Sequence, residues 1–189
     1  MEENKLKISG VKYWVNFVWE ILKIVIISLA IIIPIRYFLI QPFFVSGASM
    51  EPNFLDGDYL IIDEISYRFR VPQRGDVVVF RYPLEPSQFF IKRIIGLPEE
   101  TIRIEDGRVF VIDETGIERV LNESEYLDDA YTGGNLSITL GADEYFVLGD
   151  NRQSSSDSRK WGEVRKKFII GQAWLRAWPL NRMSVVIDE

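Results

Sequence analysis

The sequence predicts a mostly β protein, an antiparallel β-sheet domain behind one N-terminal transmembrane helix. Three observations carry this. A single membrane-length apolar run lies near the N-terminus. From Val45 onward, short β-prone runs alternate with turn residues. No stretch of about 12 residues in that part holds a helical period.

The apolar run is Ile24 to Ile35, continued by Tyr37 to Ile40. Taken from Trp19 to Ile40 it measures about 33 Å as a helix, against about 30 Å for a bilayer core. Lys23 and Arg36 lie near its ends, where long side chains reach the headgroups. Trp14, Trp19 and Tyr37 suit the interfacial positions, and a kink at Pro34 is tolerable in the outer turn. A cleaved signal peptide would have a shorter apolar core of ~7–15 residues and a small-x-small site. Here the bulky Gln41-Pro42-Phe43-Phe44 follows, so the reading is an uncleaved anchor at 19–40.

Charge sets the expected direction. Lys5, Lys7, Lys12 and Lys23 precede or open the span, and after Arg36 no Lys or Arg appears until Arg68. The positive-inside rule puts residues 1–18 in the cytoplasm and residues 41–189 outside, in a single-pass topology with the lipid bilayer as partner.

The outer part then reads strand by strand. Tyr59–Ile62 follows Asp56-Gly57-Asp58, and Val77–Phe80 follows Arg74-Gly75-Asp76. Phe89–Ile95 ends at Gly96-Leu97-Pro98. Ile102–Ile104 and Val109–Val111 flank Asp106-Gly107, a strong hairpin signal. Further strands are expected at Ile117–Leu121, Ser137–Leu140, Glu144–Leu148 and Phe168–Ala177. Residues 122–136, acidic and Gly-containing, read as a surface loop.

Composition narrows the chemistry. The chain has no His and no Cys. A Ser-His-Asp triad, a Cys nucleophile and a His/Cys zinc site are therefore excluded, and no metal or cofactor is expected. A net charge of −6 with no basic stripe argues against nucleic acid. About 149 residues beyond the anchor suffice for a core without disulfides.

Ser49 stands in Phe43-Phe44-Val45-Ser46-Gly47-Ala48-Ser49-Met50-Glu51-Pro52, a few residues past the apolar run. If it is a nucleophile, its base must be a lysine, a carboxylate or a group from a partner. A lysine acts as a base only when neutral, so its pKa must fall from about 10.4 by roughly two or more, which apolar burial achieves. Lys92, between Phe89-Phe90-Ile91 and Ile94-Ile95, has the most apolar setting in the outer part. As a strand residue it shares a face with Phe90 and Ile94. An edge-strand lysine with a wet tip is the competing reading.

Four segments occur in order behind the anchor: Ser46–Pro52, Arg74–Phe80, Ile91–Pro98 and Gly149–Gly162. Together they resemble the motifs of bacterial type I signal peptidases, the S26 family of Ser-Lys proteases. The resemblance runs to Trp178-Pro179-Leu180-Asn181-Arg182. It implies a plasma-membrane serine endopeptidase with Ser49 as nucleophile and Lys92 as general base. It implies Ser155 as the hydroxyl that orients the lysine, and Asp157, Arg159 and Asp150 as structural support. Gly47 and the Ser49 backbone would shape the oxyanion site; some members carry a serine at the Gly47 position. Phe44, Val45, Ser46, Met50, Phe90 and Ile91 are the implied substrate-binding residues, with strands at 43–47 and 89–92 bordering the substrate. The implied substrates are signal-peptide-bearing preproteins cut after Ala-x-Ala-like sites, with no obligate protein partner. A binding scaffold without chemistry would keep the same fold and anchor. A self-cleaving regulator would need a DNA-binding segment, which is not seen.

Overall fold

The computed structural model describes residues 2–38, 40–128 and 131–186. The side chains of residues 2–11 and 34–40, which include the expected Lys5, Lys7, Arg36 and Tyr37 and the kink at Pro34, lie outside what it describes, as do Met1, Leu39, Asp129 and Ala130. So do residues 187–189. The chain divides into two compact units, residues 1–40 and 41–189.

The first unit is a helix, α1 (Glu2–Phe38). Its segment Lys12–Ile33 has mean hydropathy 2.2 and no buried residue, and is long and apolar enough to cross a membrane. Tyr13, Trp14, Val15, Phe17 and Val18 are exposed on it. Trp14 packs edge-on against both Tyr13 and Phe17. Lys23 pairs with Glu20 one turn away, at 2.6 Å.

The second unit holds two antiparallel sheets. The strands are β1 (Ile40–Phe44), β2 (Tyr59–Asp63), β3 (Val77–Arg81), β4 (Phe89–Gly96), β5 (Thr101–Glu105) and β6 (Arg108–Ile112). They continue as β7 (Glu118–Val120), β8 (Leu136–Thr139), β9 (Glu144–Leu148), β10 (Val164–Arg165), β11 (Ile169–Trp178) and β12 (Ser184–Val185). Two short helices, α2 (Ser66–Phe69) and α3 (Ser158–Trp161), interrupt them. The large sheet runs β1-β2-β11-β3-β4-β9-β10, with β12 on β11, and the small one runs β7-β6-β5-β8.

Sequence pattern follows position in these sheets. β3 lies between β11 and β4 with both faces covered, so Val77-Val78-Val79-Phe80 reads as an unbroken apolar run. Val77 and Val79 join Met50, Phe54, Leu60 and Ile62 in one core cluster. Val78 and Phe80 join Ile94, Tyr145, Val147 and Val164 in another. The small sheet is covered on one face only, so β5 alternates: Ile102 and Ile104 are buried against Ile95, Phe146 and Leu148. Burying each such side chain contributes about 1.5–3 kcal/mol. Asp106 and Gly107 both take positive φ, 49° and 76°, which fits the type I′ turn their hairpin calls for.

Two expectations change here. The strand over 43–47 ends at Phe44, because Gly47 turns with φ +89° and donates its N–H to Asp56 Oδ1 at 2.7 Å. The 122–136 segment is not simply a surface loop. Glu123, Leu127 and Thr132 are buried in it, and strand β8 already begins at Leu136.

Candidate active site

Lys92 comes from β4, which pairs with β3 over Phe89–Arg93 and with β9 only from Arg93 onward. Lys92 thus stands on a stretch bordered by β3 alone, but it is no lysine with a wet tip, since the residue is only 4% exposed. Across β3 it stands opposite Val78, and its Nζ lies 5.5 Å from the centre of the Phe90 ring. In this apolar setting burial pulls its pKa down from 10.5 to about 8, while the carboxylates of Asp157 and then Asp150 act the other way. Burial wins because the ammonium loses its water and gains no direct ion pair.

Ser49 sits in the turn after β1. The turn is tied down on both flanks: Val45 donates to the Asp58 carbonyl at 2.8 Å, and Phe54 to the Met50 carbonyl at 2.8 Å. From the far side, Asn151 N–H reaches the Ser49 carbonyl at 3.1 Å. Lys92 Nζ then donates to Ser49 Oγ at 2.8 Å and to the Ile91 carbonyl at 2.7 Å. The Ser49 N–H donates to no group among the described residues.

The pair opens into a groove of about 580 Å³. Phe43 to Ala48 form one wall, Gln88 to Ile91 the other, with Leu60 and Val79 between and Ser154 and Ser156 beyond. Its sides are thus mostly apolar, with backbone flanking the serine.

Behind the pair, two arginines hold two carboxylates. Arg93 grips Asp150 with Nε–Oδ1 at 2.9 Å and Nη2–Oδ2 at 2.8 Å, and Asn53 adds a bond to Oδ2 at 2.8 Å. Arg159 grips Asp157 with Nε and Nη2, both at 2.8 Å. Asp157 also caps α3 and accepts from Gly149 N–H at 3.2 Å. Burial raises the Asp157 pKa, but the Arg159 bonds outweigh this and hold it below the usual carboxylate range. Asp157 is therefore a fixed negative charge near Lys92.

A protein-family model described as signal peptidase, peptidase S26, matches residues 18–178. This chain belongs to that family. It is 36% identical to a probable signal peptidase I-2 of Synechocystis sp., over 90% of this chain and 78% of the relative. It is 38% identical to signal peptidase I of Leptolyngbya laminosa, over 87% and 82%. It is 33% identical to signal peptidase I P of Bacillus subtilis subsp. natto, over 96% and 97%.

Within this signal peptidase fold, the structure brings together Ser49, Lys92, Asp150, Asp157 and Arg159, and lines the groove with Phe44, Val45, Ser46, Gly47, Phe90 and Ile91. Met50 does not belong with the groove. It is fully buried in the core beside Phe54 and Leu60, because the turn after Ser49 rolls its side chain inward. Ser155 does not bond Lys92 either: its Oγ is buried and makes no hydrogen bond of normal geometry. The group it faces is the Asp157 carboxylate, whose pKa it helps to lower. Sequence reasoning passed over Arg93, Asn53, Tyr126 and Glu123. Arg93 alone carried a signal, a second cation beside Lys92 in an apolar strand.

Proposed function

We propose that this chain is a membrane-anchored serine endopeptidase that removes signal peptides from exported preproteins, with Ser49 as nucleophile and Lys92 as general base. The observation that carries the reading is the 2.8 Å contact of Lys92 Nζ with Ser49 Oγ in a buried apolar setting at the head of a groove. With a pKa of about 8, roughly a tenth of Lys92 is neutral at pH 7, where an ordinary lysine would offer less than about one part in a thousand.

The neutral amine takes the Ser49 proton as Oγ attacks the scissile carbonyl carbon. The oxyanion forms against the Ser49 N–H, and the Gly47 N–H is committed to Asp56. As the carbon–nitrogen bond breaks, Lys92 returns its proton to the leaving amine, which becomes the new N-terminus. Lys92 then deprotonates a water that hydrolyses the Ser49 ester and restores the hydroxyl. The family resemblance gives Ser155 the role of orienting Lys92; its hydroxyl faces Asp157, and Asp150 and Arg159 keep that wall in shape.

An extended peptide fits between the two groove walls by strand addition. The family resemblance implies cleavage after Ala-x-Ala-like sequences. The anchor lies in the plasma membrane with its N-terminus in the cytoplasm. Tethering enzyme and preprotein in one bilayer raises their effective concentration.

The test is purified protein in liposomes given a preprotein with an Ala-x-Ala site. Wild type is expected to release a mature chain whose N-terminus follows that site, and Ser49→Ala none. Cleavage by Ser49→Ala, or a product cut elsewhere, contradicts the reading.

A further inference from the structure

We infer that Glu123, in the segment between β7 and β8, is a positioning residue for the Ser49 turn, acting through Arg152 and Tyr126. The Glu123 and Arg152 side chains are 2% and 3% exposed. Arg152 holds both Glu123 oxygens, Nη1–Oε2 at 2.9 Å and Nη2–Oε1 at 2.5 Å. Thr132 Oγ1 accepts a further bond from Arg152 Nη1. A doubly bonded pair this deep is rigid, since losing either partner strands a charge without water.

From Glu123 two chains of contact converge on Gly149–Asn151. Along the first, Arg152 Nε donates to the Gly149 carbonyl at 3.1 Å. The Arg152 carbonyl in turn accepts from Arg159 Nη2 at 2.6 Å, the same guanidinium that grips Asp157. Along the second, Tyr126 OH donates to Glu123 Oε1 at 2.7 Å, and the Tyr126 ring lies 4.1 Å below the Arg93 guanidinium that grips Asp150. The Tyr126 carbonyl also accepts from Asn53, the third ligand of Asp150. Asn151, next in the chain, holds the Ser49 carbonyl at 3.1 Å. One carboxylate thus fixes both sides of the loop that holds the serine, and it comes from a segment whose acidic composition suggests a solvated loop.

The inference rests on the proposed role of Ser49, and amide exchange separates the two. Hydrogen exchange of wild type and Glu123→Gln is followed at the Gly149 and Asn151 amides, with the Ile94 amide of β4 as reference, alongside steady-state kinetics on the preprotein. Both loop amides are expected to exchange at least tenfold faster in Glu123→Gln with Ile94 unchanged. The kcat is expected to fall at least tenfold with KM within twofold. Unchanged loop amides, or uniform acceleration that includes Ile94, would overturn the inference and leave Glu123 a merely structural residue. If Glu123→Gln does not fold, Tyr126→Phe, which removes one hydroxyl and keeps the ring over Arg93, is measured in the same way. It is expected to speed the Asn151 amide at least threefold, and no change there overturns the inference. A wild type that fails to cleave would end the proposed function and leave the exchange result standing.

Discussion

Lys92 Nζ meets Ser49 Oγ at 2.8 Å, and no other side-chain oxygen among the described residues accepts a hydrogen bond from it. The two residues are 43 apart in sequence and come from different elements, so the contact depends on the sheet and the turn being held together. Asn151 to the Ser49 carbonyl provides that hold on one side, and the β3–β4 pairing on the other.

The protonation of Lys92 sets the pH dependence. Only the neutral amine is a base, so kcat/KM is expected to rise about tenfold per pH unit below the Lys92 pKa of about 8 and level off above it. A pH–rate profile checks this. A limb centred near 6, or none between pH 6 and 9, contradicts it.

Burying Lys92 costs stability. Its pKa is depressed from 10.5 to about 8 on folding, so below pH 8 the folded state gives up proton affinity that the unfolded state keeps. The cost, up to ~3 kcal/mol at about 1.4 kcal/mol per pH unit, fades as pH rises from 8 to 10.5. Lys92→Met fills the same space without charge. It is expected to raise Tm most at or below pH 7, to lose that advantage near pH 10.5, and to abolish cleavage. Thermal melts across that range read the effect.

Ser155 separates a chemical role from a packing role. Its buried Oγ makes no hydrogen bond of normal geometry, only a contact with the Asp157 carboxylate, so Ser155→Ala is expected to change stability by less than about 1 kcal/mol. The same variant is expected to lower kcat at least tenfold, because Ser155 backs the Asp157 carboxylate and the Gly149 segment that meets the Ser49 carbonyl. Unchanged kcat would remove Ser155 from the reaction.

Gly149 lets three segments meet. A Cβ there would overlap Ser155 Oγ and the Ser49 carbonyl oxygen, and would lie 2.7 Å from Ser155 Cβ. The Ser49 backbone cannot yield freely, so Gly149→Ala is expected to cost about 1–3 kcal/mol and to lower kcat. Denaturant unfolding and kinetics on the same sample check both.

Much of this architecture was legible because local pattern and tertiary position agree. The run Val77–Phe80 is apolar on both faces because β3 is internal, and Asp106-Gly107 turns as its chemistry requires. The lack of His and Cys and one lysine in an apolar strand made Ser49 and Lys92 candidates, and only the four ordered motifs of the S26 resemblance paired them. Other features turned on inward or outward direction, which composition does not encode. Met50 follows the nucleophile in sequence yet points into the core. Glu123 lies in an acidic run that suggests water, but Arg152, 29 residues on, draws it inside. Arg93 and Asp150, 57 residues apart, meet only once β4 and β9 pair.

Single-turnover cleavage of an Ala-x-Ala preprotein at pH 8 by Lys92→Ala, beside wild type, tests the pairing of Ser49 with Lys92 most directly. The pairing predicts a loss of at least about a thousandfold in a folded protein, since removing the base leaves an unactivated hydroxyl. Cleavage within tenfold of wild type at the same bond would contradict it.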